Sequence, residues 1–286
     1  MTTALNTHHN INTTIPLVSN LASILQPRES EGHTIYVDID PNSDFSQIPK
    51  NDVERFDARV DKYDEGCIKI GWRGAEESLK HFISYKDSFY GQKLFGDENN
   101  SITLVDVGAA NGHSVEKYRT YLRDLGYSVC SVGVDLSQGM LFDGRKKDRF
   151  DHAIQASATD VLRVIDPQNV DIVNAIGVSE FFSKPKDADK PKDERIADQQ
   201  ALKNFARNAF NALRPGGVLN FTYEIVGSNR PKGDAQWSTD FLCDAFKNAG
   251  FEIFGEPRGL WQAWQLGKSK RPVSNGFLTA FVPAPL

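Results

Sequence analysis

An apolar run that stops on an acidic residue and then breaks into small residues decides most of what this chain can fold into. The stretch is Leu104-Val105-Asp106-Val107-Gly108-Ala109-Ala110-Asn111-Gly112. Its first half is β-branched and apolar, as in a strand buried on both faces. Its second half reads as a loop opening into a helix. Glycine has no Cβ, so such a loop can take positive φ and let a ligand approach the backbone closely. The N–H groups that begin the following helix are unpaired and point at whatever sits there. This is the layout of a nucleotide-type cofactor site at the carboxyl end of a strand.

From residue 101 onward strands and helices alternate. Ile102–Val107, Val129–Val134, His152–Gln155, Val170–Ile176 and Val218–Tyr223 read as strands. Val115, Tyr118, Leu122 and Leu125 form a helical stripe closed by Gly126, and 142–149 holds a shorter helical segment. Asp198–Leu213 and Thr239–Asn248 read as further helices. Alternation of this kind implies a parallel sheet with crossover helices. The end differs, because no helix separates 251–255 from 277–282, and those two strands are expected to pair antiparallel.

The first 100 residues are less regular. Residues 1–14 are polar and expected to be disordered. Ile15, Leu17, Val18, Leu21, Ile24 and Leu25 recur at helical spacing until Pro27, which suits a helix packed on its own domain or a homodimer contact. Thr34–Ile39 alternates like a short strand, 40–66 looks loop-rich and acidic, and 76–90 carries another helical stripe. The polar break at Gly96–Asn100 marks a boundary between a cap, 1–100, and a cofactor-binding domain, 101–286.

Bulk properties narrow the partners. A net charge of −5 with 25% charged residues argues against an extended basic face for nucleic acid. Cys67, Cys130 and Cys243 are widely spaced and odd in number, so a disulfide scaffold is not expected. There is no basic, apolar leader and no apolar run of roughly 20 residues. These features predict a soluble, cytoplasmic protein without a membrane partner. Carboxylate and histidine ligand spacing is absent, so no metal is expected.

Two glycine-loop patterns compete for the opening segment. The dinucleotide fingerprint G-x-G-x-x-G would need glycine where Ala110 and His113 stand, and a histidine ring there obstructs close helix–sheet packing. The spacing of Asp106, Gly108, Ala110 and Gly112 instead resembles motif I of class I S-adenosylmethionine-dependent methyltransferases, with alanine for the middle glycine. Gly133-Val134-Asp135-Leu136-Ser137 is similar to the family's second-strand motif. There the acidic side chain accepts the ribose hydroxyls and the next residue lines the adenine. Ser157-Ala158 stands where the family reads the adenine edge, with serine in place of an acidic residue. Asn174 lies in the fourth-strand motif, and Leu213-Arg214-Pro215-Gly216-Gly217 resembles the turn before the fifth strand.

The resemblance implies a doubly wound α/β fold, a mostly parallel seven-stranded sheet with an N-terminal helical cap. It also implies a methyltransferase that converts S-adenosylmethionine to S-adenosylhomocysteine. The cofactor would lie on Asp106, Gly108, Ala110, Gly112, Asp135, Leu136, Ser157, Ala158 and Asn174. Arg73 would pair with its carboxylate, as an arginine from the cap does in similar enzymes. A compact cap suits a small-molecule acceptor; whether its nucleophile is O, N or C is not readable.

Methyl transfer needs a general base only when the nucleophile carries a proton. Glu180, just past the fourth strand, is the first candidate, or else a surface carboxylate. Glu224 at the end of the fifth strand and His113 after the glycine loop are the others. The run 184–195, with five cations and four anions, reads as a solvated loop or a lid. Trp261, Trp264 and Phe277 line either a substrate pocket or the core. A cofactor-binding protein with a regulatory or non-methylating role, and an NAD-dependent oxidoreductase, are the alternative functions.

Overall fold

The computed structural model describes residues 25–40, 43, 50–69, 71–95, 100–184, 187, 189–191, 194–225, 236–256, 261–263 and 273–284. Five parallel strands form its centre: β3 (Ser101–Val107), β4 (Ser128–Asp135), β5 (His152–Gln155), β6 (Val170–Ala175) and β7 (Leu213–Ile225). Their spatial order is β5-β4-β3-β6-β7. β11 (Val273–Phe281) lies antiparallel to β7, from Asn275 opposite Glu224 to Phe281 opposite Val218. The short β9 (Glu252–Ile253) pairs antiparallel with β11, as the missing crossover helix implied.

Helices cover both faces. α8 (Gln199–Ala212) and α9 (Thr239–Ala249) pack with Val105, Val107, Val173 and Ala175 on one side. α3 (Gly74–Lys86) and α5 (His113–Asp124) pack with Ile102, Leu104 and Ile172 on the other. Successive strand residues thus feed opposite cores, and the fold is a doubly wound α/β sandwich. α6 (Gln138–Lys146) follows β4, four residues earlier than the expected 142–149 segment. Its N-cap is Ser137, whose Oγ accepts from Met140 N at 3.1 Å, which frees Asp135 from that task.

The sheet is wider than the seven strands expected, with eleven among the described residues. The surplus comes from both margins. β8 (Gln236–Trp237) and β10 (Trp261–Ala263) add short pieces beside β7 and β11. At the opposite edge, β1 (Leu25–Ser30) and β2 (His33–Asp38) form a hairpin, and β2 joins parallel to β5 through Tyr36–Ile154 and Val37–Gln155. Leu25 and Pro27 therefore belong to an edge strand, where a missing N–H is tolerated, and not to a helix; the rest of the 15–24 stripe lies outside the described residues.

The stretch read as an acidic loop holds α1 (Lys50–Asp57), a 3₁₀ turn (Val60–Lys62) and α2 (Tyr63–Lys69). α3 is followed by α4 (Phe89–Phe95). Phe89, on the stripe read over 76–90, is 69% exposed, and Leu125, at the C-cap of α5, is 48% exposed, so neither adds to the buried face of its helix. Pro215-Gly216-Gly217 lies inside β7, where the register to β6 shifts between Val170 and Ile172. Leu213 and Val218 are five residues apart on β7 while their partners Val170 and Ile172 are two apart on β6, so the expected turn interrupts one longer strand ahead of Val218. No helix among the described residues is long and apolar enough to cross a membrane.

Candidate cofactor cleft

From β3 the chain winds outward through β4 and β5, then returns to the other side of β3 as β6. Loops leaving β3 and β6 therefore diverge, and the crevice between them is where open α/β sheets place ligands. A cleft of about 300 Å³ opens there.

Its floor is the glycine loop. Gly108 N and Ala109 N both donate to Val134 O, at 2.8 and 2.9 Å, which ties the loop to the end of β4. Gly108 sits at φ +72°, and a Cβ there would lie 2.7 Å from Val178. Ala110 also takes positive φ, at +48°, where alanine costs on the order of 1 kcal/mol. Asp135 braces this corner: Oδ2 accepts from Ala110 N and Oδ1 from Ser137 N, each at 2.8 Å. Burial pushes its carboxyl above the usual range, while the backbone N–H groups of Ser137, Ala110 and Leu136 oppose that rise.

Leu136, Met140, Ala156 and Ala158 supply an apolar wall, with Asp135 and Ser157 among its polar groups. The Ser157 and Thr159 hydroxyls lie 2.8 Å apart. The opposite bank is Gly177, Val178, Phe181 and the first turns of α8. Arg55 and Phe56 of α1 and Tyr63 of α2 also line the cleft. The 184–195 run leaves from the same bank and is pinned at its neck: Asp198 N donates to Phe182 O and Lys184 N to Ile196 O, both at 3.0 Å. Ser183 and Arg195 at that neck face the cleft.

Gly108, Ala110, Asp135, Leu136, Ser157 and Ala158 are thus brought together on one surface. The other candidates lie elsewhere. Gly112, at φ +83°, caps α5 against Phe150. Asn174 is buried in β6, where its Oδ1 accepts from Asn220 Nδ2 at 3.0 Å. Arg73 lies 62% exposed beside Glu77, at 3.4 Å, outside the cleft lining. Glu224 is buried in β7 and does not line the cleft. Glu180 stands on the 3₁₀ turn Ser179–Phe181 beside the cleft, and its side chain lies outside the described residues. His113 begins α5 next to the Trp72 ring, with Glu76 Oε1 4.0 Å from Nε2. Burial, then the Lys117 charge, lowers its pKa, which favours the neutral imidazole. Phe277 is buried in β11 and stacked on His81 with centroids 5.0 Å apart; Trp264 and the Trp261 side chain lie outside the described residues.

Asp106 lies fully buried in β3, beneath the loop, accepting a short hydrogen bond from Ser114 Oγ. Burial, with the Asp135 charge nearby, pushes its carboxyl up to about 7 despite that bond. A carboxyl raised in the folded state contributes stability that is full below its unfolded value near 4 and is lost as pH rises to its folded value. The wild type should therefore lose stability relative to Asp106→Asn between about pH 4 and pH 7, by a few kcal/mol. Urea midpoints measured across that range check this; parallel curves for the two proteins would refute it.

Sequence reasoning missed Arg55 and Phe56. The only hint was Val53, Phe56 and Val60 at spacings of three and four, diluted by charged neighbours. Phe181, next to the candidate Glu180, carried no signal of its own.

Neither a protein-family model nor a curated protein sequence matches the chain. Solved structures do. One is a chain of the complex between the Haloferax volcanii Trm112 methyltransferase activator and its candidate methyltransferase. It is 18% identical with a TM-score of 0.52, over 80% of this chain and 97% of that one. Another is an S-adenosylmethionine-dependent methyltransferase from Thermotoga maritima. It is 14% identical with a TM-score of 0.50, over 80% of this chain and 98% of that one. The chain therefore has the fold of the class I S-adenosylmethionine-dependent methyltransferases, with more strands in its sheet than the seven expected.

Proposed function

We propose that the protein transfers a methyl group from S-adenosylmethionine to a small-molecule acceptor. Fold alone does not assign an activity; the observation that carries this reading is Asp135. Its carboxylate stands at the carboxyl end of β4 on the cleft surface, between the glycine loop and an apolar wall. A half-buried carboxylate beside an apolar wall fits a ribose diol joined to a purine. Leu136, Met140 and Ala158 would flank the base, Ser157 or Thr159 would meet its polar edge, and the Gly108–Ala110 backbone would carry the amino-acid portion.

When bound, S-adenosylmethionine supplies an electrophilic methyl group; the sulfur–methyl bond breaks as the acceptor–methyl bond forms, and the sulfur keeps the electron pair. The chain's task is then to exclude water and align the acceptor. A protonated nucleophile would also require a base at the β6 or β7 edge. Glu180 is the nearest candidate in sequence to the cleft bank. The cover formed by Arg55, Phe56 and Tyr63, with a net charge of −5, favours a compact acceptor over a nucleic acid.

Calorimetric titration with S-adenosylmethionine, S-adenosylhomocysteine and NAD tests the reading. Saturable binding of the first two without NAD is expected. Binding of NAD alone would overturn it.

A further inference from the structure

We infer that α1 is a latch on the cofactor cleft: Phe56 closes it against Phe181, and Asp57 is the positioning residue that holds the latch shut. This rests on the methyltransferase reading above.

α1 approaches α6 end-on. Asp57 Oδ1 accepts from Ser137 Oγ at 2.5 Å and from Gly139 N at 2.9 Å. The first N–H groups of a helix have no partner inside it, and a carboxylate is favoured at that end. Ser137 satisfies Met140 N, and Asp57 satisfies Gly139 N from a different segment of chain. α6 makes room for this contact by having no side chain at 139. A Cβ there would stand 3.0 Å from Asp57 Oδ1 and 3.0 Å from Val60 Cγ2.

The neighbouring residue reaches the other bank. The Phe56 ring meets Phe181 edge-on, with centroids 5.6 Å apart and planes at 70°, and both rings line the cleft. The Arg55 guanidinium lies 5.3 Å over the same Phe56 ring. Phe56 and Phe181 therefore span the gap between the α6 side and the β6 side.

The following segment is fixed more firmly. Asp64 on α2 accepts two bonds from Arg149, at 3.0 and 2.9 Å, one from Lys147 at 3.1 Å, and one from Asn111 Nδ2 at 3.0 Å. Burial opposes the Asp64 charge, but these bonds hold its carboxyl well below the usual range. α2 is thus anchored to the glycine loop. α1, with eight residues, is too short to be helical unaided and depends on its docking contacts. Opening α1 about the anchored α2 parts the two phenylalanines and exposes the cleft.

The test is stopped-flow release of S-adenosylhomocysteine from the full-length wild type and from Phe56→Ala, Phe56→Leu, Asp57→Ala, Asp57→Asn and Gly139→Ala. Release should be up to about tenfold faster in Phe56→Ala and Asp57→Ala, the scale of one lost edge-to-face aromatic pair. Asp57→Asn keeps an acceptor for Gly139 N and should recover part of the loss, and Phe56→Leu should fall between wild type and alanine. Gly139→Ala should speed release without lowering the unfolding midpoint of the free protein, because alanine favours the helix while its methyl crowds Asp57. That combination separates a latch from general destabilisation. Wild-type release rates in all five variants would overturn the latch and leave the methyltransferase reading standing. No binding of S-adenosylhomocysteine by the wild type would overturn both.

Discussion

Asp135→Ala should abolish measurable binding of S-adenosylhomocysteine while leaving the protein folded. The carboxylate is committed on one side to Ala110 N and Ser137 N, both at 2.8 Å. Each oxygen of a carboxylate can accept more than one bond, so the free lone pairs on the cleft side remain for two ribose hydroxyls. Hydrogen bonds to a charged group contribute about 1.5–3 kcal/mol each. Losing two corresponds to a drop in affinity on the order of 10²–10³-fold or more. The sheet should survive, because β4 stays paired along its length with β3 and β5 through contacts that do not use this side chain. A modest fall in unfolding midpoint is expected from the backbone donors left without their acceptor.

Calorimetry and circular dichroism together check this. A cofactor analogue lacking the 2′-hydroxyl sharpens the result: it should bind the wild type more weakly than S-adenosylhomocysteine does, and the penalty should shrink in Asp135→Asn, which keeps one acceptor oxygen but no charge, the coupling expected of a direct contact. Undiminished binding to Asp135→Ala would remove the ribose assignment.

The parallel core and the cleft floor were legible because their signals are local. β3, β4 and β6 are continuous apolar runs, as strands buried on both faces must be, and Gly108 to Gly112 must turn sharply between strand and helix. What the sequence hid depends on register or on polar docking. Glu224 and Asn174 point where the pleat directs them, and period two is invisible in a strand whose two faces are both apolar. β1, with Pro27 inside it and only Leu25 buried, is a strand by virtue of its pairing with β2 rather than its composition. α1 escaped for a related reason. Its docking rests partly on Asp57 capping another helix, so the charged sequence Lys50–Asp57 has only a sparse apolar stripe. Arg73 was assigned from what similar enzymes do with a cap arginine, and the turn before α3 carries it out to solvent beside Glu77.

Phe150 explains three glycines that the cofactor argument leaves partly unexplained, and it carries the largest expected effect on stability. Its ring is fully buried between α5, β4 and α6. A Cβ at Gly112 would come within 2.7 Å of the ring, one at Gly133 within 2.8 Å, and one at Gly144 within 2.4 Å. Gly112 belongs to the cofactor loop, Gly133 to the strand that ends in Asp135, and Gly144 to the helix that follows. One side chain therefore sets the spacing of the three elements behind the cleft wall. Phe150→Ala removes that wedge from a socket three of whose walls are glycines with no side chain to relax inward, so part of the cavity should persist. The expected cost is about 3–5 kcal/mol, measured from urea unfolding with the slope unchanged. Gly144→Ala fails from the opposite side, by forcing a methyl into the ring, and about 1–3 kcal/mol is expected there. Because the two errors are complementary, combining Phe150→Leu with Gly144→Ala should cost less than the sum of the single changes. Strict additivity would mean that the ring and the glycines are not one packing unit. Cofactor affinity should follow the same pattern, since Gly112 and Asp135 are held at their separation by what fills the space between them.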